Sequence, residues 1–253
     1  MLTEERHDWI RNELKASGKV VSTDLAERFG VSEDTVRRDL RELAKAGFCR
    51  RVYGGALLPA PDLGSITERR SNQVEDKQAL AALVAGLFQD GQTTFVDAGS
   101  TNIAVVQAIS RDKSGTIITN APEIAIALRD HHRLKTIMLG GEFNPSKGAC
   151  IGGQTIRQAR RINADMLVLG ACGLDPRAGV TALDNEEAEL KRCLVEQSAS
   201  LVIAATPDKL GTIAPYAIVG ADAIDHLAVS SQTSVTFSKA FSAMGVKVHQ
   251  TIG

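Results

Sequence analysis

Residues 32–43 read Ser-Glu-Asp-Thr-Val-Arg-Arg-Asp-Leu-Arg-Glu-Leu, and this stretch decides the organisation of the N-terminal part of the chain. Its apolar positions recur at helical spacing, because Val36, Leu40 and Leu43 stand at i, i+4 and i+7. Ser32 is a residue type that often caps the N-terminus of a helix. The segment therefore predicts a capped amphipathic helix whose outer side carries arginines.

The neighbouring segments complete a pattern around this helix. Thr3 can cap a first helix that Gly18 stops, Ser22 can cap a short second helix, and Gly30 supplies the turn into the third. Residues 48–57, which contain two adjacent glycines, predict a small β-wing. A helix, a capped short helix, a glycine turn and a capped basic helix are typical of a winged helix-turn-helix that binds double-stranded DNA.

The candidate DNA contacts follow from the geometry of a recognition helix. Its first turns meet base edges, where arginine can bind guanine O6 and N7 with two hydrogen bonds, and later cations meet phosphates. The predicted DNA-binding residues are Ser22, Thr35, Arg37, Arg38, Arg41, Lys45, Arg50 and Arg51. The same arginines could belong to a merely solvated surface, with Asp39 and Glu42 as partners three or four residues away. The complete set of elements, more than the charges alone, favours a DNA-binding module.

Composition limits the other classes of protein. The chain has 253 residues, a formal net charge of −1 and 43% hydrophobic residues, so any contact with DNA depends on local charge. It has no apolar run long enough for a membrane span and no signal-peptide pattern at its acidic N-terminus, so we expect a cytoplasmic protein. The four cysteines are widely spaced and show no metal-ligand spacing, so we expect reduced thiols, no metal and no cofactor.

The remainder of the chain has a different pattern. Residues 58–66 hold two prolines and a glycine, and we place a linker at 58–69 between a DNA-binding domain at 1–57 and a larger domain at 70–253. In the larger domain short apolar runs alternate with helical patterns, which predicts an α/β fold with a mostly parallel sheet covered on both faces. The predicted strands are 93–97, 116–119, 136–139, 166–169 and 201–204, the predicted helices include 103–109 and 123–129, and the tail 232–253 predicts one more helix and strand.

Polar and glycine residues follow several of these strands. Ligands of open α/β sheets bind at the carboxyl ends of the strands. The segment from Asp97 to Thr101, Asp-Ala-Gly-Ser-Thr, joins a strand to a helix, where hydroxyls and helix amides could hold phosphate or sugar oxygens. An ordinary strand-to-helix turn capped by Ser100, and an ordinary tight turn at Gly140-Gly141, remain alternatives for the same residues.

Three segments carry a specific resemblance to a known family. Residues 21–32, 35–43 and 51–56 closely resemble the DeoR-type helix-turn-helix. The resemblance covers nearly the whole chain and implies a C-terminal sugar-phosphate-sensing domain, related in fold to ribose-5-phosphate isomerase and glucosamine-6-phosphate deaminase. The effector-binding residues that it implies are Asp97, Gly99, Ser100, Thr101, Thr119, Asn120, Gly140, Gly141, Lys147, Gly173, Glu187, Lys191 and Lys209.

The resemblance implies a transcriptional regulator, usually a repressor of sugar or carbohydrate metabolism genes, that binds an operator and a phosphorylated sugar or related metabolite. It also implies a homo-oligomer, at least a dimer. Four sites depart from the family pattern: Ser100-Thr101 replaces Thr-Thr, Asn144 replaces a common arginine, Thr206 replaces an acidic residue for which Asp208 could partly substitute, and Ser230-Ser231 replaces Thr-Asp. These departures leave open a regulator that responds to no small molecule.

An enzyme is the alternative from another class. A sugar-phosphate isomerase or deaminase with an appended DNA module would need a carboxylate base and a cation that stabilises the enediolate. Asp97, Glu187 and Lys209 are available for these roles. Since the acidic and basic groups characteristic of the sensor domain are already depleted, we expect a regulator without catalytic residues.

Overall fold

The computed structural model describes residues 1–61 and 64–252, so residues 62 and 63 of the predicted linker and residue 253 of the predicted larger domain lie outside the described residues. The N-terminal elements are α1 (Thr3–Ser17), β1 (Lys19–Val21), α2 (Ser22–Phe29), α3 (Glu33–Lys45), β2 (Arg50–Val52) and β3 (Gly55–Pro59). β3 pairs antiparallel with both β1 and β2. The predicted three helices and wing hairpin are thus confirmed.

Local chemistry explains where α3 begins and which side it buries. Its N-cap is Ser32, whose hydroxyl accepts a hydrogen bond from the Thr35 N–H at 3.2 Å. Val36, Leu40 and Leu43 are at most 2% exposed. Both the predicted cap and the predicted apolar stripe are therefore confirmed.

Two other predicted caps are wrong. The N-caps of α1 and α2 are Leu2 and Val21, so Thr3 and Ser22 are the first residues of these helices and not their caps. The extended backbone of β1 runs directly into α2, which places Ser22 one position later than a cap. The Ser22 N–H donates instead to the Gly54 carbonyl at 2.8 Å, which ties the start of α2 to the wing.

A parallel sheet forms the centre of the larger part. Its strands are β4 (Thr93–Val96), β5 (Gly115–Thr119), β6 (Leu134–Met138), β9 (Met166–Leu169), β12 (Leu201–Ala204), β15 (His226–Val229) and β16 (Lys247–Gln250). Their order is β16-β15-β12-β9-β4-β5-β6, and every pairing in the sheet is parallel. The side chains of β9 alternate between two apolar clusters, with Leu167 and Leu169 in one and Met166 and Val168 in the other. Both faces of the sheet are therefore buried, as predicted.

Helices cover the two faces. They are α4 (Ile66–Ser71), α5 (Val74–Ala85), α6 (Ser100–Ala108), α7 (Pro122–Ala127), α8 (Gly153–Ala159), α9 (Asn185–Glu196) and α10 (Val235–Ser242), with 3-10 turns at Pro207–Lys209 and Ala221–Ala223. α10 and β16 are the helix and strand predicted for the tail. α4 and α5 have no counterpart among the predicted elements, and α4 lies mostly inside the segment predicted as a linker. In the described residues no helix has the length and apolar character needed to span a membrane.

The smaller strands include the connection between the two parts of the chain. They are β7 (Glu142–Asn144), β8 (Ala149–Ile151), β10 (Gly173–Asp175), β11 (Gly179–Ala182), β13 (Thr212–Ile213) and β14 (Tyr216–Val219). β7 and β8 form a hairpin, and β10, β11 and β14 form an antiparallel sheet. β13 pairs in parallel with β3 of the wing, and the Ala60 N–H donates to the Ile213 carbonyl at 2.8 Å. The winged helix is thus joined to the larger part by main-chain hydrogen bonds.

Candidate DNA-binding surface and ligand cleft

The outer side of α3 carries three exposed arginines, and one of them forms an ion pair on the same helix. Arg37 is paired with Glu33 at 3.0 Å, one turn earlier on the same helix. Arg38 and Arg41 are exposed, and within residues 1–61 and 64–252 their side chains make no hydrogen bond or ion pair. Since an exposed i,i+4 pair contributes only about 0.3–0.5 kcal/mol, Arg37 can also exchange its partner readily.

Asp39 has a different partner from the one expected. It is 2% exposed and accepts two hydrogen bonds from the Arg6 guanidinium of α1, at 2.7 Å from Nε and 3.0 Å from the second terminal nitrogen. These hydrogen bonds raise the pKa of Arg6 although burial opposes the change. The alternative in which Asp39 is a partner of the α3 arginines on a solvated surface is therefore not what the structure shows. Asp39 anchors the inner side of α3 to α1 and leaves the outer arginines without that carboxylate.

The wing adds further exposed groups beside α3. Arg50 and Arg51 on β2 are exposed, and Lys45 at the end of α3 is exposed as well. A groove of about 520 Å³ runs between helix and wing, and its lining includes Thr23, Arg37 and Arg51. Of the predicted residues, Arg37 and Arg51 thus line this groove, whereas Lys45 and Arg50 are exposed but do not line it.

Two wing-side residues differ from the predicted set. Ser22 also lines the groove but is only 5% exposed, so contact between its hydroxyl and DNA would require the side chain to be uncovered. Tyr53, at the tip of the wing, is fully exposed at 105% and is missing from the predicted set. An aromatic residue between arginines and a glycine pair was the signal that could have identified it.

A cleft lies beyond the carboxyl ends of β4 and β9. Adjoining cavities there, two of them about 330 Å³ and 210 Å³, share Arg69 and Lys209 in their linings. A narrower cavity between them is bounded by the start of α6. Predicted residues that line this cleft are Gly99, Ser100, Thr101, Lys147, Glu187, Lys191 and Lys209. The strand ends thus form a pocket where the sequence pattern placed one.

Asp97, Glu187 and Lys191 form a charged network at the bottom of the cleft. The Lys191 Nζ is bonded to Asp97, lies 2.6 Å from the Gly170 carbonyl oxygen, and lies 3.3 Å from the Glu187 carboxylate. Lys191 is 1% exposed and Asp97 is 2% exposed. Burial opposes the charge on Lys191, but Asp97 and Glu187 outweigh it and raise its pKa. Burial also raises the pKa of Asp97, although Lys191 opposes that change. The network fixes α9 to the end of β4.

Lys147 approaches the same network from the β7–β8 hairpin. Its Nζ lies 2.8 Å from Asp184 and 3.5 Å from Glu187. Asn144, one of the positions that depart from the family pattern, accepts a hydrogen bond from the Lys147 N–H at 3.1 Å and shapes the turn. Burial opposes the charge on Glu187, but Lys191 and Lys147 together lower its pKa. Lys147 is thus part of the cleft although the residue at position 144 is not an arginine.

The other predicted effector residues make internal contacts. Thr119 accepts the Ala121 N–H at 3.1 Å, and Asn120 joins the Ala98 N–H to the Cys150 carbonyl. Both side chains are buried. These contacts hold the end of β5 against the loop after β4, so the two residues support the cleft through its backbone.

The predicted glycines fall into the same group. Gly140 is bonded to Gln158 and Thr155 of α8, and a Cβ on Gly141 would lie 2.1 Å from the Thr155 hydroxyl. A Cβ on Gly173 would lie 2.8 Å from the Thr212 carbonyl oxygen. These glycines permit close packing of chain segments, which agrees with the tight-turn alternative for Gly140-Gly141.

Several residues of the cleft escaped prediction. Arg69 and Lys77 come from α4 and α5, and Cys172 and Thr206 come from loops that follow β9 and β12. The cations were hidden in segments that resemble a linker and a polar helix, so only their charge could have identified them. Ser230, at another position that departs from the family pattern, accepts the Gln232 N–H at 3.3 Å within its own turn.

Two family models match the chain. The DeoR-like helix-turn-helix domain matches residues 6–61, and the DeoR C terminal sensor domain matches residues 72–231. The fold and the two matches define a helix-turn-helix protein with an attached sensor domain. The chain belongs to the DeoR family of transcriptional regulators.

Two named relatives are similar in sequence to this chain over most of their own length. The glycerol-3-phosphate regulon repressor of Escherichia coli is 32% identical over 82% of this chain and 82% of its own. The HTH-type transcriptional repressor GlcR of Bacillus subtilis is 27% identical over 98% of this chain and 96% of its own. Among solved structures, ribose 5 phosphate isomerase A of Neisseria gonorrhoeae overlaps 56% of each chain with 12% identity and a TM-score of 0.42, a likeness too small to carry activity across.

Proposed function

We propose that the chain is a repressor of sugar or carbohydrate metabolism genes that binds an operator through residues 1–57 and a phosphorylated sugar through residues 70–253. The observation that carries the DNA part is the exposure of Arg38 and Arg41 on a helix whose opposite side is anchored by Asp39. A rigid helix with free arginines at its surface suits the major groove of DNA.

The cleft supports the sensing part. Arg69, Lys147 and Lys209 line it together with hydroxyl groups, a set that suits an anion attached to a polar sugar. The relative from Escherichia coli is named a glycerol-3-phosphate regulon repressor, so glycerol 3-phosphate is the first compound to test. Ligand binding would change DNA affinity only by its different affinity for the two states of the protein.

Binding without turnover fits the geometry of the carboxylates. Asp97 and Glu187, the candidate bases, are both held by Lys191. Lys191 and Lys147 outweigh burial and lower the pKa of Glu187, away from the near-neutral value that suits a general base. Lys191 also donates a hydrogen bond to the Asp97 carboxylate. We therefore propose that the cleft senses its ligand. Turnover of ribose 5-phosphate or an amino-sugar phosphate by the purified protein would contradict this.

We also propose a homo-oligomer of at least two chains. Two recognition helices related by symmetry would read repeated half-sites at a spacing fixed by the protein. Sedimentation of the full chain measures this directly, and a monomer at the concentrations at which it binds DNA would refute it.

Operator binding is the central test. DNA selected from a random pool is titrated with the full chain at several salt concentrations, and Arg38→Ala is compared with Arg161→Ala, an exposed arginine of the larger part. Loss of a base contact is expected to cost about 1–3 kcal/mol on selected DNA. Random DNA should lose less, and Arg161→Ala should bind as the wild type does. Equal loss on both DNAs would assign Arg38 to the backbone.

The ligand is tested separately. Thermal unfolding is followed with a panel of sugar phosphates, since a ligand at 100 times its Kd stabilises the native state by about 2.7 kcal/mol. Asp97→Ala is expected to abolish the shift while operator binding remains. A wild-type protein that binds its operator but shifts with no compound would favour the regulator that responds to no small molecule.

A further inference from the structure

Arg69 holds an unused donor in the cleft. It lies on α4 and lines each of the adjoining cavities. Its Nε atom is buried and has no hydrogen-bond partner among the described residues. Lys77, which is 6% exposed, donates to the carbonyl oxygens of Arg69 and Asn72 and so fixes the end of the helix. The main chain of Arg69 is therefore held in place, while the Nε donor of its side chain has no partner among the described residues.

The start of α4 is fixed as well. Ile66 is 4% exposed, and its N–H donates to the Ser146 carbonyl at 2.8 Å in the β7–β8 hairpin. The hairpin also carries Lys147, which lines the cleft. Arg69 thus packs with the larger part of the chain, although it follows the wing closely in the sequence.

Five cations of the described residues line the cleft, and one of them, Lys77, is bonded to main-chain carbonyl oxygens. The other four divide into two groups. Lys147 and Lys191 are neutralised by ion pairs with carboxylates. Arg69 and Lys209 make no side-chain hydrogen bond or ion pair with any residue in the described parts of the chain. Asp208 faces Lys209 and opposes the lowering of its pKa by burial, yet the Asp208 oxygens are bonded to neither cation. One end of the cleft therefore holds two cations that form no ion pair with the described residues.

Neutral donors stand at the same end. Thr206 is fully buried, and its hydroxyl has no hydrogen-bond partner among the described residues. Ser100, at the start of α6, lines the same cavity of about 210 Å³ as Thr206, Arg69 and Lys209. A tetrahedral oxyanion can accept hydrogen bonds from two cations and two hydroxyls at once. The residue that departs from the acidic family pattern at position 206 therefore removes a negative charge from this end.

Both unpaired cations lie on connections that lead to the wing. Lys209 immediately precedes the loop to β13, and β13 pairs with β3. Arg69 lies on α4, the first helix after β3. A ligand group bound by both cations would connect the segment before β13 with the segment after β3. These segments meet where β13 pairs with β3.

We propose that an anionic group of the ligand bridges Arg69 and Lys209 and thereby holds β13 paired with β3. This rests on the proposed function, because it assigns the anionic end of the same cleft and a route from it to the DNA-binding part. The bound state is then the one in which the winged helix is docked through β3, and loss of the anion weakens that docking.

The binding step is tested with a matched pair of variants. Arg69→Gln is compared with Arg70→Gln, whose exposed guanidinium is paired with Glu123 at 2.9 Å. Calorimetric titration of the full chain with inorganic phosphate and with glycerol 3-phosphate should show at least about a tenfold loss for Arg69→Gln, as expected for a charge-assisted hydrogen bond. Arg70→Gln should match the wild type. Arg69→Lys should recover part of the affinity, since it keeps the charge but not the paired donors.

The coupling step is tested by hydrogen exchange. In the wild type, glycerol 3-phosphate should slow exchange of the Ala60 amide, which donates to Ile213, by at least about threefold. In Arg69→Gln at the same ligand concentration the slowing should disappear. Unchanged exchange in a ligand-saturated wild type would overturn the coupling.

The outcomes separate this inference from the proposed function. If a sugar phosphate binds equally well to Arg69→Gln and to the wild type, the proposed function stands and the inference fails. If inorganic phosphate binds through Arg69 but no sugar phosphate binds, the anion site stands and the proposed effector fails. If the wild type binds neither these probes nor any compound of the sugar-phosphate panel, both the inference and the proposed effector are refuted.

Discussion

Removal of the Asp39 carboxylate should unfold the winged helix while the sensing part stays folded. The Arg6 and Asp39 side chains are 8% and 3% exposed, and two hydrogen bonds join them. In Asp39→Asn the Arg6 charge stays buried without its carboxylate. Removing one partner of a buried ion pair lowers the free energy of unfolding by about 3–5 kcal/mol. A module of roughly sixty residues is stable by only about 3–9 kcal/mol.

The chain has an internal reporter for this experiment. Its single tryptophan, Trp9, lies on α1 and packs edge-on against Phe29 with ring centroids 5.5 Å apart. Trp9 fluorescence during urea denaturation therefore follows the winged helix alone. With a slope near 1 kcal/mol per molar urea, the midpoint should fall by about 3 M or more, or the module should be unfolded without urea.

Glu33→Gln is the matched control. It breaks the Arg37 ion pair on the same helix, where both side chains are largely exposed, at 57% and 45%. Its cost should stay near 0.5 kcal/mol. A double variant, Arg6→Met with Asp39→Leu, should recover much of the loss, because apolar replacement of a buried pair is often neutral. An Asp39→Asn midpoint within about 1 M of the wild type would refute the assignment of α3 anchoring to this pair.

Three further predictions concern the cleft. Lys191→Met leaves the Asp97 charge buried and should cost about 3–5 kcal/mol, a fall of roughly 6–20 °C in the Tm of the larger part, and a fall under 3 °C would contradict it. Burial lowers the pKa of Lys209, so its cation is lost as pH rises. As pH rises, affinity for glycerol 3-phosphate should therefore begin to fall at a pH lower than the ordinary lysine pKa of about 10.4. Lys209→Arg should remove this fall. Calorimetric titration from pH 7 to 10 tests both expectations. Burial raises the pKa of both Cys172 and Cys49, that of Cys49 to about 11, but Cys172 borders the cleft whereas Cys49 is only 3% exposed. Iodoacetamide at pH 8.5 should label Cys172 first and be blocked by saturating ligand, and peptide mass analysis that finds equal labelling of Cys49 would count against the cleft as the binding site.

Elements with a strong local period could be predicted from the sequence. The stripe of α3 and the apolar runs of the parallel strands are each encoded within about ten residues, and the structure has them at the predicted places. β13 has only two residues, so it carries no pattern and is defined by its partner strand alone. Short strands and their pairings depend on contacts between distant segments, which a periodic pattern cannot express.

The candidate sites divide in the same way. The exposed arginines of α3 follow from their position on one helix. The Arg6–Asp39 pair joins residues 33 positions apart, so local spacing could offer only the α3 arginines as alternative partners of Asp39. Arg69 was missed because the surrounding prolines and polar residues resemble a linker. Gly140 and Gly141 were included because a glycine that allows close packing and a glycine that admits a ligand have the same sequence signature.

The two-residue ladder between β3 and β13 also sets the energy scale of any response. A main-chain hydrogen bond contributes about 0.5–1.5 kcal/mol net, so a joint of this length contributes roughly 1–3 kcal/mol. That range equals the coupling free energy typical of allosteric proteins, about 1–3 kcal/mol. A coupling of that size would change operator affinity by roughly 5–150-fold, so the joint is large enough to carry such a response without unfolding either part of the chain.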